Sequence, residues 1–187
     1  MNYVYGGSFN PPTKAHQKII KKIMELESCE NLIILPVGDD YQKPYLASFS
    51  HRYEMLKLLI SYDKHIIISD IEQKNPYQGT LKSLDILKKT YKKLSFVIGS
   101  DQLDKLHTWI DYQTLLASYP FVILQRDQIL NKDIIEKQFE MVKHEFIWIP
   151  FEQDMSSTKA RTDKSLRLAY LSQEIINYID KYDLYKE

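Results

Sequence analysis

Cysteine and glycine are both scarce in this sequence, and each scarcity excludes a class of protein. Cys29 is the only cysteine in 187 residues, so no internal disulfide framework can form and a reducing, cytoplasmic compartment is expected. Five glycines leave little material for a flexible linker between folding units. We therefore expect a single domain over residues 1–187.

An excess of charge of one sign is also missing. Lys plus Arg and Asp plus Glu both number 25, so the broad positive surface of a nucleic-acid-binding protein is not expected. No apolar run approaches the roughly 20 residues that a bilayer-spanning helix needs. We expect neither nucleic acid nor a membrane as a partner, and an anionic ligand would have to be bound by a local group of cations and amides.

Short apolar runs rich in β-branched and aromatic residues alternate with longer segments of helical period. This alternation predicts an α/β fold with a mainly parallel sheet covered by helices. The predicted strands are nearly continuous in hydrophobicity, as strands buried on both faces are: Asn2–Tyr5, Leu32–Leu35, Ile66–Ser69, Leu94–Ile98, Phe121–Leu124 and Phe146–Ile149. The predicted helices place apolar residues along one stripe: Ala15–Leu26, His51–Ile60, Leu81–Tyr91, Asp133–Lys143 and Gln173–Tyr182.

The turn after the first predicted strand carries the first candidate site. Gly6 and Gly7 follow the strand, and a helix containing Thr13 and His16 comes next. Glycines let backbone approach a phosphate, the amides at a helix start donate to anions, and side chains three apart share one helix face. Taken singly, these residues are more typical of a tight turn, a helix cap and a surface histidine than of an anion site.

The whole string GGSFNPPTKAH, residues 6–16, resembles the signature of the HxGH nucleotidylyltransferase superfamily, G-x-F-[DN]-P-x-[HT]-x-[GA]-H. The resemblance implies a Rossmann-like fold, a doubly wound sheet with helices on both faces. Thr13 stands in the place of the first histidine of the signature. This replacement provides a hydroxyl donor and removes a side chain that can carry charge. Ala15 replaces the usual glycine and adds a methyl group beside the ligand.

A second stretch points to one branch of that superfamily. Gly99 and Asp101 follow a predicted strand, where a carboxylate can accept hydrogen bonds from ribose, and Trp109 can stack on a planar base. Alone, they favour a helix-capping aspartate and a core tryptophan. The stretch resembles F-[VI]-I-G-x-D-x(7)-W of bacterial nicotinate-nucleotide adenylyltransferases, in which the Trp stacks on the pyridine ring. Thr80 begins a partial match to T-x-[DE]-T-L of that family.

A third stretch lies near the C-terminus. Ser156, Ser157 and Arg161 place hydroxyls at a predicted helix start and a guanidinium about one turn later, which suits a triphosphate and equally suits a capped helix with a solvated arginine. The stretch resembles I-S-S-T-x-I-R of the same family. Further features of that family are matched by the terminal Y-I-x(4)-L-Y, by the loop 36–43 that ends in Lys43, and by Arg52.

The resemblance implies an adenylyl transfer from ATP to nicotinate mononucleotide, with release of pyrophosphate, in NAD biosynthesis. The implied catalytic residues are His16, Thr13 and Arg161. The implied ATP-binding residues are Gly7, Ser8, Phe9, Thr13, His16, Gly99, Asp101, Ser156, Ser157 and Arg161. The implied acceptor-binding residues are Asn10, Lys43, Thr80 and Trp109.

No cluster of carboxylates forms a dedicated metal cage in the sequence, so Mg²⁺ is expected to arrive on the ATP phosphates. The other histidines lack metal-ligand spacing and are interpreted as surface residues: His51, His65, His107 and His144. A phosphopantetheine adenylyltransferase is an alternative, disfavoured by Trp109 and Arg161. A non-catalytic nucleotide-sensing module is another. Preference for nicotinate or nicotinamide mononucleotide and the choice between a monomer and a small homo-oligomer stay open.

Overall fold

A computed structural model of the 187-residue chain describes residues 1–60, 63–125, 131–151 and 157–185. Within them, six strands form one parallel sheet in the order β3-β2-β1-β4-β5-β6. The strands are β1 (Asn2–Gly7), β2 (Asn31–Pro36), β3 (Ile66–Ile68), β4 (Leu94–Gly99), β5 (Phe121–Gln125) and β6 (Phe146–Pro150). The order reverses between β1 and β4, so the predicted Rossmann-like, doubly wound α/β fold is confirmed.

Helices connect the strands. They are α1 (Lys14–Met24), α2 (Phe49–Leu59), α3 (Ile71–Lys74), α4 (Thr80–Leu87), α5 (Leu103–Leu106), α6 (Tyr112–Ser118), α7 (Lys132–Gln138), α8 (Ser157–Thr162), α9 (Arg167–Tyr170) and α10 (Gln173–Lys181). Within the described ranges, none of them is long and apolar enough to cross a bilayer.

Alternate side chains of the strands supply the two apolar cores on opposite faces of the sheet. Tyr3 and Tyr5 of β1 belong to one core, which α1, α2 and α10 cover. Val4 belongs to the other core, which α4, α6 and α7 cover. Because successive strand residues point to opposite faces, a sheet covered on both sides needs apolar residues at nearly every position, which is the pattern of the sequence.

The predicted helices exist, with different ends. The helix predicted to reach Tyr91 ends at Leu87, where four of the next six residues are lysines, and the one predicted to reach Lys143 ends at Gln138. The short helices α3, α5, α6 and α9 were not predicted. A helix of one or two turns contains too few apolar residues to show a period, so the sequence carries no clear signal for it.

Candidate active site

The reversal of strand order brings two strand-to-helix turns together. β1 and β4 are neighbours in the sheet, so the turn after Gly7 and the turn after Gly99 leave the same edge side by side. The carboxyl ends of parallel strands at such a reversal frame a ligand crevice. The first two sequence-predicted segments therefore meet at one edge of the sheet.

The glycines of the first turn lie against neighbouring aromatic rings. A Cβ atom on Gly6 would lie 2.7 Å from Cζ of Phe96, and one on Gly7 would lie 3.2 Å from Cζ of Phe9. Phe9 is buried, with positive φ, and its ring meets Tyr5 edge to face at 5.4 Å. The structure thus gives these glycines a packing role that the sequence interpretation, centred on access for a phosphate, did not include.

Thr13 and His16 interact with each other at the start of α1. The Thr13 amide donates to His16 Nδ1 at 2.8 Å, and Thr13 Oγ1 lies 2.9 Å from the same nitrogen. Because Nδ1 accepts from an amide, the neutral ring carries its hydrogen on Nε2. Thr13 is fully buried and His16 is half-buried. Thr13 therefore orients His16 in this structure, whereas the sequence predicted that both side chains would reach a phosphate.

Asn10 holds the first turn to distant segments. Its side chain is fully buried; Nδ2 donates to the Tyr45 carbonyl at 2.8 Å, and Oδ1 accepts from the Ala47 amide at 3.1 Å and from the Tyr185 hydroxyl at 2.7 Å. The sequence assigned Asn10 to the acceptor. Both polar atoms of this side chain have protein partners in this structure, and a role for Asn10 in binding the acceptor stays a prediction.

Cations converge on the first turn from other parts of the chain. Lys43 Nζ donates to Ser8 Oγ at 2.8 Å, and the buried Arg52 donates through Nη1 to the Ser8 carbonyl at 3.1 Å. Partial burial lowers the pKa of Lys43, and the positive charges of Arg161 and Arg52 lower it further. Lys43 and Arg52 bond to Ser8 and Arg161 bonds to the Asn10 carbonyl, so an anion beside this turn would be stabilised by all three cations.

Arg52 was noted in the sequence only as part of the resemblance and was not predicted as a site residue. Its Nε donates to the Ala47 carbonyl at 2.7 Å, and its Nη2 lies 3.5 Å from Oδ1 of Asp39. One signal could have identified Arg52 as a site residue: it lies in α2, the helix that follows strand β2 along the chain. Sequence alone does not show that this arginine points into the protein.

The segment near the C-terminus reaches the first turn. Ser157 Oγ donates to the Pro11 carbonyl at 2.9 Å, and Arg161 Nη1 donates to the Asn10 carbonyl. Ser156, also predicted to bind ATP, lies outside the described residues. The two predicted phosphate-binding segments are thus in direct contact, although 146 residues separate Ser157 from Pro11.

The ribose-binding candidates lie at the end of β4. Gly99 is buried as the last residue of the strand, and a 3₁₀ turn, Ser100–Gln102, follows it. Asp101 is exposed, and its Oδ2 accepts a hydrogen bond from Gln102 Nε2 at 2.8 Å. The Asp101 carboxylate therefore stands at the open edge of the sheet, beside the first turn.

The acceptor candidates Thr80 and Trp109 come together beyond β4. Gly79, which precedes Thr80 with a φ of 94°, packs so closely on Ile110 that a Cβ would lie 2.9 Å from its Cβ atom. The half-buried Trp109 meets the Phe96 ring edge to face at 6.2 Å. Since Phe96 also lies against Gly6, one line of packed groups connects the first turn to Trp109.

A buried carboxyl group beside this region was not predicted. Glu72 of α3 is only 6% exposed and accepts a hydrogen bond from Ser83 Oγ at 2.7 Å, while its Oε2 has no hydrogen-bond partner among the described residues. Burial raises its pKa to about 7. Glu72 lines a cavity of about 100 Å³ with Tyr77 and Lys82. The mostly polar stretch 70–75 is typical of a surface helix, so its pattern does not predict this burial.

The remaining histidines divide into two groups. His65 and His107 are exposed, as predicted, and His51 is half-buried beside Tyr178. His144 corrects the prediction: its side chain is 12% exposed, bonded to Glu136 at 2.8 Å and to the Val142 carbonyl at 2.7 Å. Among the described ranges, no group of three or more His, Cys, Asp or Glu side chains could hold a metal ion.

Similarity to known proteins extends over nearly the whole chain. Residues 4–163 match the family model described as cytidylyltransferase-like. The chain is 34% identical to a protein of Acholeplasma laidlawii named "Probable nicotinate-nucleotide adenylyltransferase", over 100% of this chain and 98% of that one. A protein of the same name from Sulfurimonas denitrificans is 31% identical, over 98% of this chain and 94% of its own.

Solved structures agree with these relatives. The Plasmodium falciparum nicotinic acid mononucleotide adenylyltransferase complexed with NaAD has a TM-score of 0.81 and 25% sequence identity, over 98% of this chain and 96% of that chain. The same enzyme complexed with APC gives the same values. Sequence and fold therefore lead to one group of enzymes.

Proposed function

The chain belongs to the cytidylyltransferase-like family and, within it, to the nicotinate-nucleotide adenylyltransferases, and from that membership we propose how its own residues transfer an adenylyl group from ATP to nicotinate mononucleotide. The products are nicotinate adenine dinucleotide and pyrophosphate, and the reaction serves NAD biosynthesis. The proposal assigns ATP to the edge between the first turn and β4, and the acceptor to the region of Thr80 and Trp109.

One observation carries this assignment: Lys43, Arg52 and Arg161 converge on the turn after β1. The pKa of Lys43 is lowered by burial and by its two arginine neighbours, which is the electrostatic state expected of a site whose anion supplies the balancing charge. A triphosphate brings that charge. Ser157 and Arg161 would hold its β- and γ-phosphates, and Lys43 would reach the acceptor phosphate from Ser8.

The reaction requires the protein to position the two substrates and to neutralise negative charge on the phosphates. An oxygen of the acceptor phosphate attacks the α-phosphorus of ATP while the bond to the bridging oxygen of the β-phosphate breaks, so pyrophosphate leaves with the bonding electrons. His16, whose Nε2 carries the hydrogen, would donate to the phosphate on which charge develops. Thr13 acts by fixing the ring, and Arg161 neutralises the leaving group.

The nucleoside parts would be held on either side of the phosphates. Asp101 at the end of β4 would accept hydrogen bonds from the ATP ribose, beside the backbone of Gly99, and Gly7, Ser8 and Phe9 would line the path of the phosphates. Trp109 would stack on the pyridine ring, with Thr80 near its carboxyl group. Asn10 would act through its backbone and through the turn it holds, since its side chain is buried.

The remaining features of the proposal concern the metal, the location and the assembly. Mg²⁺ would enter bound to the ATP phosphates and to water, because the groups that face the first turn are cations and suit the phosphates themselves. Use of ATP and the lone Cys29 favour the cytoplasm. We propose a monomer or a small homo-oligomer without a nucleic-acid partner.

Product formation tests the proposal. Purified protein with ATP, Mg²⁺ and nicotinate mononucleotide is expected to release pyrophosphate and form nicotinate adenine dinucleotide. Chromatography measures the dinucleotide formed. Nicotinamide mononucleotide and phosphopantetheine, assayed side by side, would show the acceptor preference. If none of the three acceptors leads to release of pyrophosphate, the proposal is contradicted.

A further inference from the structure

Tyr185, outside every predicted site, reaches the centre of the first turn. Its hydroxyl lies 2.7 Å from Oδ1 of Asn10, across 175 positions of sequence. The chain turns back after α10 through Asp183 and Tyr185, both with positive φ, and Leu184 N bonds to the Ile179 carbonyl at 3.0 Å. Because α10 packs on α2, this turn delivers the phenol next to the helix that carries Arg52.

The direction of this hydrogen bond is determined by its neighbours. Asn10 Nδ2 donates to the Tyr45 carbonyl, which identifies the other atom of the amide as the oxygen, and that oxygen also accepts from the Ala47 amide. Tyr185 must therefore be the donor. Burial raises the pKa of the phenol, although the charges of Arg161 and Arg52 oppose the rise, so the hydroxyl keeps its hydrogen at neutral pH.

Asn10 transmits this bond to a proposed phosphate ligand. Its carbonyl accepts from Arg161 Nη1, so one residue receives the Tyr185 phenol on its side chain and the guanidinium on its backbone. We propose that Tyr185 is a positioning residue that holds Asn10 so that Arg161 faces the departing pyrophosphate. The identity of that anion rests on the proposed function. The link from Tyr185 through Asn10 to Arg161 rests on the hydrogen bonds alone.

Tyr185→Phe tests the inference because it removes only the hydroxyl. In the reverse reaction, from nicotinate adenine dinucleotide and pyrophosphate, the variant is expected to have a kcat/KM for pyrophosphate about two- to tenfold lower, the range for one net hydrogen bond. The KM for nicotinate adenine dinucleotide should change little. Tyr178→Phe, which removes a hydroxyl bonded to His51 from α10, is the matched control and should behave as wild type.

Direct binding separates this inference from the proposed function. Titration calorimetry with pyrophosphate and Mg²⁺ should give a higher Kd for Tyr185→Phe than for wild type and Tyr178→Phe, whether or not the wild type turns over. Equal Kd values, or a lower Tm with unchanged kinetics at 25 °C, would overturn the positioning role. A wild type that binds pyrophosphate and forms no dinucleotide would count against the proposed function alone.

Discussion

His16 is the single side chain on which the proposed chemistry depends most. Its Nδ1 accepts from the Thr13 amide, and its ring lies 5.1 Å from that of Phe9, so both the tautomer and the orientation are determined by groups within the same turn. A donor held in this way needs little reorganisation when charge develops on a phosphate. The turn therefore prepares the ring before any substrate binds.

Replacing His16 with alanine should reduce kcat by at least about a hundredfold, with a smaller change in the acceptor KM, because the lost donor acts mainly on the transition state. Steady-state rates of pyrophosphate release measure this. The matched control is His65→Ala, which removes an exposed histidine and should keep wild-type rates. A kcat near wild type for the His16 variant would exclude it from the chemistry.

Glu72 makes stability depend on pH. Its pKa is raised by burial to about 7 from an ordinary value of 4.5, with Asp40 adding to the rise and Ser83 and Arg52 opposing it. Below the ordinary value both states are protonated. As the pH rises from 4.5 to 7, only the unfolded chain loses its proton, so the folded state is progressively destabilised, by at most about 3 kcal/mol at higher pH.

Glu72→Gln should remove this loss, since its amide oxygen can still accept from Ser83. At pH 8 the variant is expected to be more stable than wild type by about 1–3 kcal/mol, and at pH 4.5 the two should be alike. Urea unfolding at both pH values measures the difference. Glu54→Gln, on the exposed face of α2, is the control and should leave the pH dependence unchanged; parallel curves for wild type and Glu72→Gln would contradict the assignment.

At the scale of elements, the short segments after β4 form the side of the site proposed for the acceptor. The 3₁₀ turn, α5 and α6 follow one another between Ser100 and Ser118, and they place Trp109 against Phe96. Gly79 fits under Ile110 and brings the start of α4 to the same place. The start of α4 and the segment after β4 thus meet beside the region proposed for the pyridine ring.

Trp109→Ala should raise the KM for nicotinate mononucleotide while the KM for ATP stays near wild type, since aromatic stacking is lost on the acceptor side only. Varying each substrate at saturation of the other measures this. Trp109→Phe is the companion variant, because it keeps an aromatic plane next to Phe96 and should recover much of the acceptor affinity. An unchanged acceptor KM in Trp109→Ala would remove Trp109 from the pocket.

At the scale of the molecule, the two ends of the chain meet at the turn proposed to bind the phosphates. Residues 10 and 11 accept hydrogen bonds from Arg161 and Ser157 of α8, and Tyr185 reaches the same turn after α10. Ligand binding across these segments should therefore stabilise the whole fold. A single domain over residues 1–187 stays a prediction.

Arg161→Ala should weaken ATP binding about tenfold or more, because a hydrogen bond to a charged group is lost. The increase in Tm that ATP and Mg²⁺ give the wild type should shrink accordingly in this variant. Lys164→Ala removes an equal charge from an exposed position just beyond α8 and serves as the control. The same ligand-induced increase in Tm for all three proteins would show that Arg161 does not bind the nucleotide.

The sequence by itself determined the elements of the fold and the region of the site. Strands buried on both faces have nearly continuous apolar sequences, and long helices show a helical period of apolar residues. All six strands and the main helices could therefore be predicted. The string from Gly6 to His16 located the first turn because its residue types are local and specific. The ends of α4 and α7 and the short helices could not be predicted, since their signals are too weak.

Only the tertiary structure decided which groups of the site face one another. It buried Asn10 and Thr13, which the sequence had assigned to ligands, and it brought Arg52 and Tyr185 to the same turn. It also gave Glu72 its raised pKa. Burial and contact between residues far apart in sequence arise when helices pack on the sheet, and no local pattern of residues encodes the neighbours that a polar side chain will meet there.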